Sequence, residues 1–549
     1  MITITPQGRV YLCKTPLEND YKNQLTFSNA TNQLNYFTSK VVKNLSDEDF
    51  TYIKKDNVLK VGLPIDEIID CNYLFYQNTG FTTKYYYCFI TDMEYINENC
   101  TAITFETDVY QTYMFQIVKK ACFVEREHVL DDSIGANTVP EGLETGEYII
   151  NSTGIVSNKL RRDACYVCIS VSYVPDNTPF VANDRSIGNI YSGLINLVMA
   201  SFGDASKLLS AYDNIGRGDA VQNVYMIPSA LVDVETWLTG NLGNQTGIRF
   251  APLPPTTTSK TIDDNLVFGI NNTLDGYTPK NNKLYTSPFN FLSIANNCGT
   301  QMEFKYEDFT NVNPTFKLVS LESAGCPTIL IPKNYKRVTT TSGLQDNLYS
   351  YGIVAGKFPI CSWKTDLYTN WMTQNGVNIL GMQIDAPTSH AIRGSIGAVI
   401  GGATLSGEGI AGGFGDMLGA VTEMYQHSMQ SPAINGQTSV GDLSFTNDML
   451  CYTYYKMSIR SEFARIIDDW FSRFGYKINR VKLPNQIGRA YWNFVKIGSY
   501  ENIGYSTNNV RSVPSASMEV INNIYRSGVT IWHNHENIGN YSLNNTING

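Results

Sequence analysis

Residues 391–421 constrain this chain more than any other stretch. Ten of the 31 residues are glycine, and only Arg393, Glu408 and Asp416 are charged. The longest uncharged run, 394–407, has 14 residues, against the ~20 that a conventional membrane-spanning helix needs. Each glycine weakens a helix in water by about 1 kcal/mol relative to alanine. Fifteen apolar side chains remain in the segment, worth on the order of 15–20 kcal/mol if fully buried. Water is a poor place for such a sequence, so something else has to cover it.

Three functional readings compete with simple burial. A glycine-rich hinge would be polar, whereas Ile396, Val399, Ile400, Leu405, Ile410, Phe414, Met417 and Leu418 make this segment strongly apolar. A phosphate-cradling loop would sit between a strand and a helix and end in G-K-[ST], and that context is missing. The third is a membrane-active segment whose glycines allow it to change conformation and to pack closely against copies of itself. His390 and His427 bracket the insert, and Glu408 and Asp416 lie within it. Protonating them would ease insertion, so these four residues form a possible pH-sensitive flank, although a flanking histidine is ordinarily only a polar one.

The rest of the chain reads as mainly β with some helix. Tyrosine (35) and phenylalanine (25) are abundant, which favours strands. Short apolar runs such as Val58-Leu59-Lys60-Val61, Tyr85-Tyr86-Tyr87-Cys88-Phe89-Ile90 and Ala102-Ile103-Thr104-Phe105 fit antiparallel structure. Strand signals return in Phe316-Lys317-Leu318-Val319 and Thr328-Ile329-Leu330-Ile331. The stretch 189–211 reads as more helical, and 251–258, rich in proline and threonine, reads as an internal linker. The strongest helix begins near Ser458 or Ser461 and ends at Gly475. Its Phe463, Ile466, Ile467, Trp470, Phe471 and Phe474 share one face and are expected to pack on a sheet.

At 549 residues with 17% charged side chains and a net charge of −9, the chain is globular and long enough for two to four domains. An acidic chain lacks the basic face with which proteins grip nucleic acid, yet suits a surface past which DNA slides. Met1-Ile2-Thr3-Ile4-Thr5-Pro6 has neither a basic nor an apolar leader region, so no secretory signal is expected. The eleven cysteines are odd in number and scattered, which suits reduced buried thiols. Cys165 and Cys168 lie in a strand-like run, where residues three apart face opposite sides, and no second pair completes a zinc site. No metal or cofactor is expected.

Catalytic patterns fare poorly. His533-Asn534-His535 invites a nuclease reading but lacks a neighbouring carboxylate cluster, and its flanks read as a terminal strand and turn. Arg217-Gly218-Asp219 is too short a match to carry adhesion. There is no G-x-S-x-G, and nothing singles out a carboxylate pair for glycoside hydrolysis. The chain reads as a non-enzyme.

Several blocks resemble a known family. They are Asn19-Asp20-Tyr21-Lys22-Asn23, Leu63-Pro64-Ile65-Asp66, Phe75-Tyr76-Gln77-Asn78, Asp108-Val109-Tyr110-Gln111-Thr112-Tyr113-Met114-Phe115, Arg126-Glu127-His128-Val129 and Glu141-Gly142-Leu143. Near the other end are Gly475-Tyr476-Lys477-Ile478-Asn479-Arg480-Val481-Lys482-Leu483-Pro484-Asn485, Gly528-Val529-Thr530-Ile531-Trp532-His533 and Asn537-Ile538-Gly539-Asn540-Tyr541-Ser542. Together they resemble the distal tail tube, or tail knob, family of small short-tailed phi29-like bacteriophages. Between about 150 and 360 the likeness is weak, as in a divergent inserted domain.

The resemblance implies a β-barrel-like tail-tube domain built from both ends of the chain, with 1–150 as its N-terminal part and 438–549, including the amphipathic helix, as its C-terminal part. An inserted central domain (151–285), a β-rich segment (286–380) and the glycine-rich loop (381–437) lie between them. It further implies a homohexamer at the virion tail tip, made in the host cytoplasm and joined to other tail proteins on the lower collar or connector side. DNA would leave through its lumen without specific binding, and the six loops, centred on 396–418, would plug that lumen and help breach the host membrane. The alternative is a receptor-binding or wall-degrading tip protein, which would release soluble sugars or peptides from host wall.

A peptide of residues 389–430 should release dye from liposomes, faster at pH 5 than at pH 7. Equal leakage at the two pH values would remove the pH-sensitive flank.

Overall fold

The computed structural model describes residues 8–46, 49–53, 57–78, 83–175, 179–180, 186–187, 190–191, 193–215, 220–253, 260–297, 299–320, 327–333, 335, 352–357, 360–362, 437–438, 451–504 and 513–547. The chain forms two compact units. One takes Met1–Glu144, Pro279–Lys283 and Glu462–Gly549; the other takes Thr145–Thr278 and Leu284–Ser461.

The first unit opens with β1 (Gly8–Cys13), β2 (Asn23–Leu25), α1 (Ala30–Ser39), β3 (Val41–Leu45), β4 (Phe50–Ile53), β5 (Val58–Val61), β6 (Tyr73–Asn78), β7 (Tyr85–Asn97) and β8 (Cys100–Thr107). Seven of these strands make an antiparallel sheet in the order β3-β1-β6-β7-β8-β5-β4. Its two edges, β3 and β4, follow one another in the chain. Leu45 and Phe50 can be at most about 18 Å apart along a stretched backbone. The edges of a flat seven-stranded sheet would be about 29 Å apart. The sheet therefore has to roll up, and Val10, Leu12, Leu45, Leu59, Val61, Leu74, Cys88, Ile103 and Phe105 meet in one cluster inside it, with Phe50 packed against them. A Cβ placed on Gly8 of β1 would lie 3.5 Å from the Phe50 ring of β4. Register shifts at Ile90/Asp92 and Tyr95/Asn97 in the β7–β8 hairpin supply the bends that such curvature requires. The result is a nearly closed, barrel-like sheet.

Period-two alternation loads the other side of the same strands. On β6, Leu74 faces the barrel interior while Tyr73 and Phe75 face outward; on β7, Cys88 faces in while Tyr87 and Phe89 face out. This outer aromatic layer meets Phe37 of α1. The segment then passes through α2 (Val109–Tyr113), capped by the Asp108 carboxylate on the Tyr110 and Gln111 amides, into β9 (Cys122–Glu127).

The second unit begins with β10 (Tyr148–Ile155), β11 (Cys165–Val171), β12 (Ser186–Ile187), β13 (Ile190–Tyr191), β14 (Ile195–Met199), α3 (Phe202–Asn214), β15 (Val221–Pro228), β16 (Leu238–Leu242), β17 (Gln245–Pro252) and β18 (Lys260–Val267). It continues with β19 (Asn290–Ala295), β20 (Gln301–Phe304), β21 (Thr315–Ser320), β22 (Pro327–Lys333), β23 (Ile353–Lys357), β24 (Ile360–Ser362), β25 (Gln437–Thr438) and β26 (Thr453–Ile459). Three larger sheets result: β10-β26-β19-β20, β16-β17-β14-β11-β15-β24-β25 and β18-β21-β22-β23. One apolar cluster gathers Cys168, Tyr225, Leu292, Phe304, Phe316, Leu330 and Ile353 from all three. Val167, Ile169 and Val171 of β11 point the other way, onto Leu208, Ala211 and Tyr212 of α3.

Two local expectations change here. The stretch 189–211 is not one helical region: β14, buried at every position, precedes α3. The helix starts only after Ser201, whose hydroxyl accepts from the Asp204 amide and donates to its carboxylate, a capping arrangement that local apolar periodicity does not register. Cys165 and Cys168 do lie in a strand, but both join the same cluster. Cys165, the first residue of β11, closes the short turn Arg162–Ala164 and bonds the Arg161 carbonyl. Of the eight cysteines whose side chains are described, seven are buried.

The chain returns to the first unit as α4 (Ser461–Phe474), β27 (Tyr476–Lys482), β28 (Trp492–Ile497), α5 (Ser515–Ser527) and β29 (Val529–Trp532). These strands combine with the N-terminal segment in the sheet β2-β29-β28-β9-β27. β2 pairs with β29 in parallel, and Asn23 accepts from the Trp532 indole and the Tyr541 hydroxyl. Trp492 and Trp532 complete the aromatic layer around Phe37, Tyr73 and Phe75. α4 stops at Gly475 as read from sequence, while at its start Ser461 is the first helical residue, its amide donating to the Asp275 carboxylate; the buried stripe is Ala464, Ile467, Asp468 and Phe471. Ile466 is 68% exposed and Trp470 39%. The face has turned because Asp468, a charged residue, has partners inside.

Gly475 ends α4 with φ +65, and a Cβ there would fall 2.2 Å from the Glu127 carbonyl oxygen. Gly475→Ala should cost the first unit at least about 3 kcal/mol, combining backbone strain with overpacking. Gly142→Ala, with φ +68 but no atom within 4 Å of the new Cβ, should cost only about 1–2 kcal/mol. Equal shifts in urea midpoint for the two variants would contradict the packing argument.

Candidate functional site: a buried polar clasp

The insert residues Ile396, Val399, Ile400, Leu405, Ile410, Phe414, Met417 and Leu418, and the flank His390, Glu408, Asp416 and His427, lie outside the described residues. So does Arg217-Gly218-Asp219. The polar blocks that carry the family resemblance at the two ends of the chain do fall on described residues, and the fold brings several of them to one place.

β9 and β27 pair so that Tyr476 faces Glu127 and Lys477 faces Arg126. Beside them, the short return segment Pro279–Lys283 passes through the first unit. Asp468 of α4 is fully buried. Its carboxylate accepts from the Lys280 amide at 2.7 Å, the Asn281 amide at 3.0 Å and the Asn281 side-chain amide at 2.7 Å. Asp132 accepts from the Tyr476 hydroxyl at 2.5 Å and from the Asn282 amide at 3.2 Å. Glu141, 1% exposed at its side chain, takes Arg126, Lys283 and the Lys477 amide. Glu127 takes Lys482 and the Asn485 amide.

A buried charge costs several kcal/mol unless its partners are complete. Here each carboxylate has at least two. Burial lowers the Lys283 pKa, opposed by the adjacent Glu141 carboxylate. Burial raises that of Asp132, opposed by the Tyr476 hydrogen bond. His128 is held in one tautomer: Nδ1 accepts from the Phe494 amide at 2.8 Å, so Nε2 carries the proton and donates to the Ser472 carbonyl at 3.1 Å. Burial, reinforced by the Arg489 charge, pushes its pKa down to about 3.

The clasp binds chain to chain and leaves its acids and its histidine engaged, whereas general acid–base chemistry needs a group within reach of a substrate. His533 and His535 do not converge. The His533 Nε2 meets Asn493 Oδ1 at 2.9 Å, while the His535 ring packs edge-on against Tyr36 at 4.8 Å. Among the described residues, no group of three His, Cys, Asp or Glu could hold a metal ion, and no helix is long and apolar enough to cross a membrane. Sequence reasoning had Arg126, Glu127, His128, Glu141 and Tyr476 as matching motifs. It missed Asp132, Asp468 and Pro279–Lys283. The available signal was an acidic residue lying between Ile467 and Phe471, on the apolar stripe of an otherwise regular amphipathic helix.

Asp468→Ala leaves two backbone amides and one side-chain amide without their acceptor, and should cost about 2–4 kcal/mol in urea unfolding of the first unit. The His128 pKa lies below its unfolded value, so its contribution to stability is complete above about pH 6.5 and disappears as pH falls towards 3. The thermal midpoint of His128→Asn should therefore fall less steeply than that of the wild type over this window. Parallel curves would remove His128 as a source of acid sensitivity.

Comparison with known proteins agrees with a structural role. Residues 254–546 match the family model described as Bacillus phage phi29, tail knob protein gp9, C-terminal domain. This extends the likeness across 254–360, where the motifs were weak. Residues 8–119, including the rolled sheet, match the caudoviral major tail protein N-terminus. Tail knob protein gp9 of Bacillus phage phi29 is 26% identical over 98% of both chains, and that of Bacillus phage PZA 24% identical over 98% of both. The solved structure of the bacteriophage C1 tail knob protein, gp12, superposes with a TM-score of 0.65 at 14% identity, covering 98% of this chain and 100% of that one, so the fold is shared. With the first family model spanning more than half its length, the chain belongs to the tail knob protein family of phi29-like phages, structural tail components rather than enzymes.

Proposed function

We propose that the chain works at the tip of the virion tail as a homohexameric conduit through which DNA is ejected. The loop at 381–437 plugs the lumen before ejection and helps breach the host membrane afterwards. The observation that carries this reading is the uncharged, glycine-rich run 394–407 inside an apolar insert, in a chain of a structural tail family. Pooled from six copies in one lumen, such inserts bury apolar surface that one copy leaves in water. A net charge of −9 suits a wall that repels phosphates, so that DNA passes without sticking. A plug held by apolar contact yields to the passing DNA without covalent chemistry. Other tail proteins on the collar or connector side complete the set of partners, together with the host membrane.

Negative-stain micrographs of the purified full chain and of a variant lacking 389–430 test the reading. Sixfold rings are expected in both, with a more open lumen in the deletion. Dye release from liposomes by the full chain should fall to background in the deletion. A chain that stays monomeric at high concentration would rule out the ring, and undiminished leakage from the deletion would rule out the loop as the membrane-active part.

A further inference from the structure

The four-stranded sheet β10-β26-β19-β20 has one edge, β10, of unusual composition. Among the described residues, β10 and β20 each have one paired neighbour. Edge strands are commonly guarded by charge, as in β18 with Asp263 and Asp264, or β27 with Lys477, Arg480 and Lys482. β10 reads Tyr-Ile-Ile-Asn-Ser-Thr-Gly-Ile, with no charge and no proline over eight residues. Tyr148, Ile150 and Ile155 are 41%, 52% and 41% exposed. A register shift lies between Ile150 and Ser152. Beyond it, 152–155 is a regular stretch of four residues, the length of β20.

Strand direction makes the two edges complementary. Each neighbouring pair in the sheet is antiparallel, so β10 and β20 run in opposite directions. A ring needs two different surfaces on each copy, one meeting the other head to tail. If copies keep the same sense around a ring, β20 of one beside β10 of the next extends the antiparallel ladder unbroken. An odd number of strands would have made that junction parallel. The cross-strand row Thr153, Tyr455, Ser293, Glu303 runs across the sheet from one edge to the other, so Thr153 of one copy would come next after Glu303 of its neighbour.

We propose that β20 of one copy pairs with β10 of a second copy of this chain, joining the second units into a continuous sheet by strand addition. The proposal rests on the ring reading above and assigns it a contact surface. Strand addition supplies backbone hydrogen bonds, while Tyr148, Ile150 and Ile155 supply apolar burial.

A short bismaleimide cross-linker on the full-length double variant Thr153→Cys/Glu303→Cys tests it. Both positions are exposed, and wild-type chain run in parallel gives the background from native thiols. The double variant should give a ladder extending beyond dimer on a denaturing gel, with each single variant at wild-type background. A dimer from Thr153→Cys alone would mean two-fold pairing of β10 with itself and would overturn the proposal. Sixfold rings in micrographs without a ladder would also overturn it, leaving the ring intact. Absence of both rings and ladder would overturn the ring reading and the proposal together.

Discussion

The first unit depends on closing its chain ends against each other. Trp532 on β29 donates to Asn23 of β2 across 509 residues of chain. Bringing the ends of a flexible loop that long together costs about 5–6 kcal/mol before any contact repays it. What offsets this is the aromatic layer. Trp492, Trp532, Tyr73, Phe37 and Phe75 are all among the largest fully buried side chains, and truncating one such residue typically costs about 3–5 kcal/mol. Two of them alone outweigh the closure cost. The rolled N-terminal sheet and the C-terminal strands therefore form one unit although the second unit separates them in sequence.

The polar clasp adds specificity to that apolar seal. Aromatic packing by itself tolerates small shifts in position, whereas Asp468 accepting from two successive backbone amides does not. Through Asp468, Asp132 and Glu141, the segment Pro279–Lys283 is tied to α4, β9 and β27. The chain consequently crosses between its two units four times, at 144/145, 278/279, 283/284 and 461/462. The clasp is a structural device, and the depressed pKa of its histidine, pushed down to about 3, is a consequence of burial.

How much of this was legible varied with the range of the interaction. The stop of α4 was readable because Gly475 acts within one helical turn of the end it defines, whereas at the start the Ser461 amide finds its acceptor in Asp275, 186 residues away. The side on which α4 is buried was not readable. Apolar spacing favoured Ile466 and Trp470, while the partners of Asp468 lie 187 residues away. β14 was mistaken for part of a helix because a strand buried on both faces lacks the alternation that marks a half-buried one. Of the candidate sites, the motifs on β9 and β27 were visible as blocks, yet nothing local said that they face each other.

The amino-acid sequence by itself determined a β-rich chain with one strong amphipathic helix, an acidic balance unsuited to gripping nucleic acid, and an insert rich in glycine and apolar residues. These follow from composition and from patterns within ten or so residues. Only the tertiary structure decided that the seven-stranded sheet rolls, that its outer face is sealed by the far end of the chain, and that a five-residue return segment anchors the polar clasp. The physical reason is the same in each case. Curvature, sealing and charge pairing depend on groups that meet across hundreds of residues, and their energies exist only once the fold has brought them together.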